Sequence, residues 1–225
     1  MSHFESKKKL REHLINLVTE LVRFPSHGDE LEKFVPLIRF ILSYFGRERV
    51  YIRQHNHQGI PSVVISTVDT KHPEILLSGH LDVVPSSRRY IAVAEGPLLY
   101  GSGAVDMKGG VAVIMAILKH FSRSRQKPSL GIMLTCDEET GGEHGTRYLL
   151  AEEHYRANFV VINEGRRRYD IVTREKGILV LRFRATGNYI HSAYPWQGPN
   201  VLEDLMRFCL SLKKLFPKPT DKWAP

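Results

Sequence analysis

Leu10, Leu14, Leu17, Val18, Leu21 and Val22 recur at spacings of three and four, which places them on one face of a helix. Pro25-Ser26-His27-Gly28 ends that helix. A second helix is predicted from about Glu30 to Tyr44, stopped by Gly46. The pattern then shortens. Val50 to Gln54 and Ser62 to Thr67 read as strands, divided by the turn-forming stretch Asn56 to Pro61. Ile75 to Ser78 is apolar without alternation, as expected of a strand covered on both faces. Gly109 to Phe121 is a helix with apolar residues nearly all round, the pattern of one buried against a sheet. Ser129 to Thr135 and Phe159 to Ile162 read as further central strands, with a helix from about His144 to Glu153 between them.

Strands alternating with helices predict an α/β fold: a three-layer sandwich with a mostly parallel central sheet. The pattern changes after Gly177. Ile178 to Ala185 alternates like an edge strand, and a helix follows from about Val201 to Leu215 before Pro217, Pro219 and Pro225. The expected organisation is a catalytic-type domain over residues 1–177. Residues 178–225 are read as the opening strand and helix of a smaller α+β domain, left incomplete here. Internal repeats and low-complexity tracts are absent.

Composition changes this picture little. Of 225 residues, 42% are hydrophobic and 25% charged, ordinary globular values. The formal charge of +8 is spread over short runs, Lys7-Lys8-Lys9, Arg88-Arg89, Arg166-Arg167-Arg168 and Lys213-Lys214, without a base-stacking aromatic motif, so nucleic acid is not an expected partner. The two cysteines, Cys136 and Cys209, match no zinc or redox spacing and suit a reducing compartment. The N-terminal residues are too polar for a signal peptide, and no apolar run is long enough to span a bilayer. The expectation is a cytoplasmic protein with no membrane partner.

The chemistry stands where apolar runs stop. Ser78-Gly79-His80-Leu81-Asp82 closes one predicted strand, Cys136-Asp137-Glu138-Glu139 another and Asn163-Glu164 a third. Ligands of open α/β sheets bind beyond the carboxyl ends of strands. His80 and Asp82 flank one residue, so on a strand both point to one face, an imidazole beside a carboxylate that can orient it. Asp106 sits among Gly101, Gly103, Gly109 and Gly110, in a segment that fits neither a dinucleotide fingerprint nor a phosphate-binding P-loop. The adjacent Glu138 and Glu139 would repel one another at a buried strand end unless a cation were near. One could then bind the metal while the other moves protons. Ser102 lacks the glycine two positions before it that a nucleophile elbow needs, which weakens a serine-hydrolase reading.

From His80 to about Leu205 the order of these motifs resembles the co-catalytic zinc or cobalt metallopeptidase family. That family includes aminoacylases, acetylornithine deacetylase, succinyl-diaminopimelate desuccinylase and related di- and carboxypeptidases. The resemblance implies a zinc-peptidase-like catalytic domain followed by a lid or dimerisation domain. It further implies that His80 and Glu164 hold one divalent ion, that Asp106 bridges, and that Glu139 binds the second. Asp82 would orient His80, and Glu138 would be the general base. His191, in Ile190-His191-Ser192-Ala193-Tyr194-Pro195, matches a lid histidine that reaches a neighbouring subunit's site. Ser86-Ser87-Arg88-Arg89 stands where the family carries an aromatic-proline segment, and a final metal-binding histidine of the family has no counterpart here.

The function so implied is metal-dependent hydrolysis of the amide bond in N-acyl amino acids or small peptides. Two zinc ions, with cobalt as the alternative, would be the cofactors, and a homodimer the working form. The competing expectation is a metal-binding or dimerisation module without turnover.

Overall fold

The computed structural model describes residues 3–28, 31–85, 90–164 and 179–216. The chain divides into two compact units, Met1–Asp170 and Ile171–Pro225.

In the first unit, α1 (His3–Val22) and α2 (Leu31–Phe45) precede the hairpin β1 (Tyr51–His57) and β2 (Ile60–Ser66). Then come β3 (Ile75–His80), a small hairpin of β4 (Val93–Glu95) and β5 (Leu98–Tyr100), and α3 (Gly109–Ser122). The unit closes with β6 (Leu130–Thr135), α4 (Tyr148–Ala151) and β7 (Phe159–Ile162). The main sheet has the order β1-β2-β6-β3-β7.

The sheet's middle is apolar on both faces. Ile65, Ile132 and Leu134 pack with Leu21 of α1, Phe34, Leu37 and Ile41 of α2, and Val111 and Met115 of α3. The alternate residues Val64, Leu76 and Met133 point the other way, against Leu149 of α4 and Tyr155. This alternation, both sets buried, produces three layers.

Several expectations are corrected in detail. The sheet is mixed: β3 runs parallel to β6 and β7, whereas β2 is antiparallel to both β1 and β6. The β1–β2 turn is tighter than Asn56 to Pro61, because Gln58 (φ 52°) and Gly59 (φ 85°) form a two-residue hairpin turn of the kind that matches strand twist. Asn56 Oδ1 accepts from Gly59 N at 3.1 Å. The helix expected over His144 to Glu153 is a five-residue turn, Glu143–Arg147, followed by the single turn of α4. Glu153 is drawn away to Lys71 and Tyr148, both at 2.7 Å, and His154 at φ 59° turns the chain out. β7, expected to be central, borders only β3 among the described residues, and all four of its residues are exposed.

In the second unit, α5 (Val201–Lys213) forms as expected. Asn200 Oδ1 caps it, accepting from Leu202 N at 3.1 Å and Glu203 N at 3.4 Å. The predicted strand does not form over 179–185, and Ile178 lies outside the described residues. A strand needs a hydrogen-bonded neighbour, and the described part of this unit contains none. Val180, Leu202 and Leu210 are exposed, while Leu205 is half-buried.

Candidate metal centre

Three strands bring the acidic and imidazole groups to one edge. His80 is the last residue of β3 and pairs with Thr135 of β6, so Glu138 and Glu139 follow three and four residues beyond that pair. Ser78 of β3 pairs with Ile162 of β7. His80 and Glu164 each lie two residues past that pair, in parallel strands. Asp106 arrives separately, in the turn Ala104–Lys108 that leads into α3. Two glycines make the approach feasible. Gly103 has φ 70°, and a Cβ there would run into Val83. A Cβ on Gly110 would collide with the carbonyl oxygen of Asn163, at the end of β7.

The His80 ring is buried, and both of its nitrogens are engaged. Nδ1 lies 3.0 Å from the Asp82 carbonyl oxygen and 3.4 Å from Asp82 Oδ1. Nε2 lies 3.0 Å from Asp106 Oδ1, 3.8 Å from Glu138 Oε2 and 4.0 Å from Glu164 Oε1. Nδ1–H donating to the Asp82 carbonyl leaves Nε2 to face the carboxylates. Asp82 is buried as well. Its Oδ2 accepts from Glu139 N at 2.8 Å, so one residue braces the imidazole through its backbone carbonyl and the Glu138–Glu139 turn through its side chain. Its Oδ1 is buried without a well-formed hydrogen bond, the off-line His80 Nδ1 being its neighbour.

The sequence-predicted residues of the first unit therefore converge. Potential ligand atoms of His80, Asp106 and Glu139 lie within 4.8 Å of one another, and so do those of His80, Glu138 and Glu164. His191 belongs to the second unit, where it is exposed and its Nδ1 accepts from Ala193 N at 3.1 Å.

This much negative charge around one imidazole has consequences. Burial lowers the His80 pKa, but Asp82, Glu138 and Asp106 outweigh it and hold the ring's pKa up at about 9. Burial raises the pKa of Glu138, reinforced by Glu164, Asp82 and Asp106 against the opposing His80. Glu139 is raised in the same way by burial and then by Asp106. One imidazolium cannot balance Asp82, Asp106, Glu138, Glu139 and Glu164. The carboxylate excess facing Nε2 fits a divalent ion with nitrogen and oxygen ligands.

A pH dependence follows. An ion reaching Nε2 must displace the proton held there up to about pH 9, so zinc affinity should rise about tenfold per pH unit between 6.5 and 9 and then level off. Chelator competition across that range measures it, and a flat profile would contradict the raised pKa of His80.

Other residues around the site were not singled out by sequence reasoning. Lys108 is buried, its Nζ donating to the Phe24 carbonyl oxygen at 2.7 Å. Burial pulls its pKa down to about 8 against the pull of Asp82. Its signal was a lysine directly before a helix whose first ten residues carry no charge. Asp137 Oδ2 accepts from His144 N at 2.7 Å and Gly145 N at 2.9 Å, closing the loop that carries the two glutamates. Ser26 Oγ donates to the Leu81 carbonyl oxygen at 2.6 Å, fixing the segment between His80 and Asp82.

A model of the peptidase family M20/M25/M40 matches residues 76–200. A succinyl-diaminopimelate desuccinylase of Rickettsia felis is 26% identical over 219 residues, covering 89% of this chain and 58% of that protein. One of Rickettsia akari is 30% identical over 160 residues, covering 64% of this chain and 42% of its own length. The chain spans about half the length of these curated relatives. Among solved structures, human carnosine dipeptidase 1 matches with a TM-score of 0.61 at 17% identity, over 72% of this chain and 40% of that one. An M20 family metallo-carboxypeptidase of Sulfolobus solfataricus matches with a TM-score of 0.53 at 20% identity, over 67% and 37%. These two structures bear out the α/β fold.

Proposed function

Because the chain belongs to the M20/M25/M40 peptidase family, we propose that it carries the catalytic centre of a metal-dependent hydrolase of amide bonds. The substrates would be N-acyl amino acids or small peptides. The observation that carries this reading is the buried His80 ring, whose Nε2 faces Asp106, Glu138 and Glu164 within 4.0 Å.

His80 and Glu164 would hold one divalent ion, Asp106 would be shared, and Glu139 would hold the second. Zinc is the first candidate and cobalt the alternative. Bound there, such ions lower the pKa of water towards about 7 and polarise the amide carbonyl. The remaining work falls to the chain. Glu138 takes a proton from the water that attacks the amide carbon. It returns that proton to the leaving amine as the C–N bond breaks. Asp82 holds the backbone of Glu139 through its carboxylate, whose other oxygen lies 3.4 Å from His80 Nδ1. Asn in its place keeps the carbonyl that accepts from His80 but removes the carboxylate's charge beside both groups, and is expected to weaken zinc binding about 10–100-fold, by dialysis against a chelator, because such bracing groups contribute on that scale.

His191 is proposed to act from a partner chain, its imidazole donating to the oxyanion formed at the carbonyl, which makes a homodimer the working form. A cytoplasmic location is part of the same reading, supported by the two free cysteines. No described helix is long and apolar enough to cross a membrane.

The test is a panel of N-acyl amino acids, succinylated diamino acids among them, and dipeptides. Hydrolysis should vanish on chelation and return with zinc or cobalt. Turnover that survives chelation would overturn the proposal. Metal binding with no turnover of any panel member would favour the non-catalytic module.

A further inference from the structure

A second pair of imidazoles lies apart from the residues assigned above. His57 ends β1, and His144 stands in the Glu143–Arg147 turn, 87 residues later in the chain. Their Nδ1 atoms are 3.3 Å apart and their ring centroids 5.2 Å apart. Both residues are half-buried, and both are held from behind. The His57 ring stacks on Tyr148, with centroids 4.3 Å apart and planes 6° from parallel. The His144 backbone N–H is fixed by Asp137 Oδ2 at 2.7 Å.

We propose that His57 and His144 form a second metal site, two imidazole Nδ1 ligands completed by water, for a zinc-like divalent ion that pins the Asp137–Arg147 loop to β1. The spacing carries the argument. Two nitrogens bound to one tetrahedral zinc at about 2.0–2.1 Å stand roughly 3.3 Å from each other. The same 3.3 Å also allows one neutral ring to donate to the other, a hydrogen bond that a bound ion would replace. Imidazole is a good ligand for zinc, nickel and copper and a poor one for magnesium or calcium, which sets the class of ion. The His57 ring is already oriented by its stack on Tyr148, and the backbone that carries the His144 ring is fixed by Asp137. The consequence lies in the loop. Asp137 joins His144 to the strand end that carries Glu138 and Glu139, so an ion on the pair would stiffen the segment holding both glutamates.

Equilibrium dialysis of chelator-stripped chain against zinc tests this. His57→Phe keeps a ring on Tyr148 and removes only the nitrogens, and His144→Gln keeps the backbone contact to Asp137. Each variant should bind one zinc fewer per chain than the unmodified protein at saturating zinc. The ion lost in His80→Ala should be a different one, so failure here and failure of the main centre are read separately. In the unmodified chain, imidazole nitrogen resonances in NMR spectra should show two Nδ1 atoms shifting together as the extra zinc binds. Unchanged zinc content in both variants, or ring nitrogens of His57 and His144 untouched by zinc, would overturn the site.

Discussion

Glutamine in place of Glu138 is expected to lower kcat by about 10²–10⁴-fold, the range that a positioned general base contributes, while metal content stays nearly intact. Glutamine preserves size and hydrogen-bonding shape but cannot take a proton from water. In the metal-free chain, burial and the nearby Glu164, Asp82 and Asp106 carboxylates raise the pKa of Glu138, against the opposing pull of His80. Its Oε2 lies 3.8 Å from His80 Nε2, comparable to Glu164 Oε1 at 4.0 Å and farther than Asp106 Oδ1 at 3.0 Å, so the division of roles rests on the variants rather than on these distances. Glu139→Gln should behave differently and lose metal as well as activity. Steady-state kinetics with metal analysis of both variants separates the roles, and equal metal loss in the two would refute the division.

The second large effect is expected from Asp106→Ala. Zinc affinity should fall by more than the roughly 10–100-fold that loss of a bracing contact costs, because a ligand itself is removed. The Asp106 side chain is more than half exposed, at 56%, so its loss creates no cavity in the core. The metal-free variant should therefore melt close to the unmodified chain. Chelator competition and thermal melting check the two halves. Unchanged affinity would remove Asp106 from the centre, and a collapse in melting would make its role structural.

The site was more legible in the sequence than the sheet around it. His80, Glu138, Glu139 and Glu164 each follow an apolar run, and strand ends can be located from hydrophobicity alone. Strand direction cannot. β2 is antiparallel to its neighbours yet buried at every residue, and its run Val63-Val64-Ile65 reads no differently from the apolar run of β6, which is parallel to β3. The β1–β2 turn was placed but drawn too wide, because Gln58, rather than asparagine or aspartate, takes its first left-handed position. The His144 to Glu153 helix was overestimated because Lys71 competes for Glu153 from 82 residues away. Distance in sequence hid the supporting groups too. Lys108 and Phe24 are 84 residues apart, and His57 and His144 87, so neither pairing leaves a local signal. Asp82 was legible as a partner of His80. Its bond to the Glu139 backbone was not, because that contact depends on how β3 and β6 align.

Crystals of the chain soaked in zinc and measured on both sides of the zinc absorption edge would test the metal centre most directly. An anomalous peak is expected within bonding distance of His80 Nε2, with carboxylate oxygens from the Asp106, Glu138, Glu139 and Glu164 group around it. Ordered density for these side chains with no zinc peak among them, at saturating zinc and a pH near 9, would contradict the assignment.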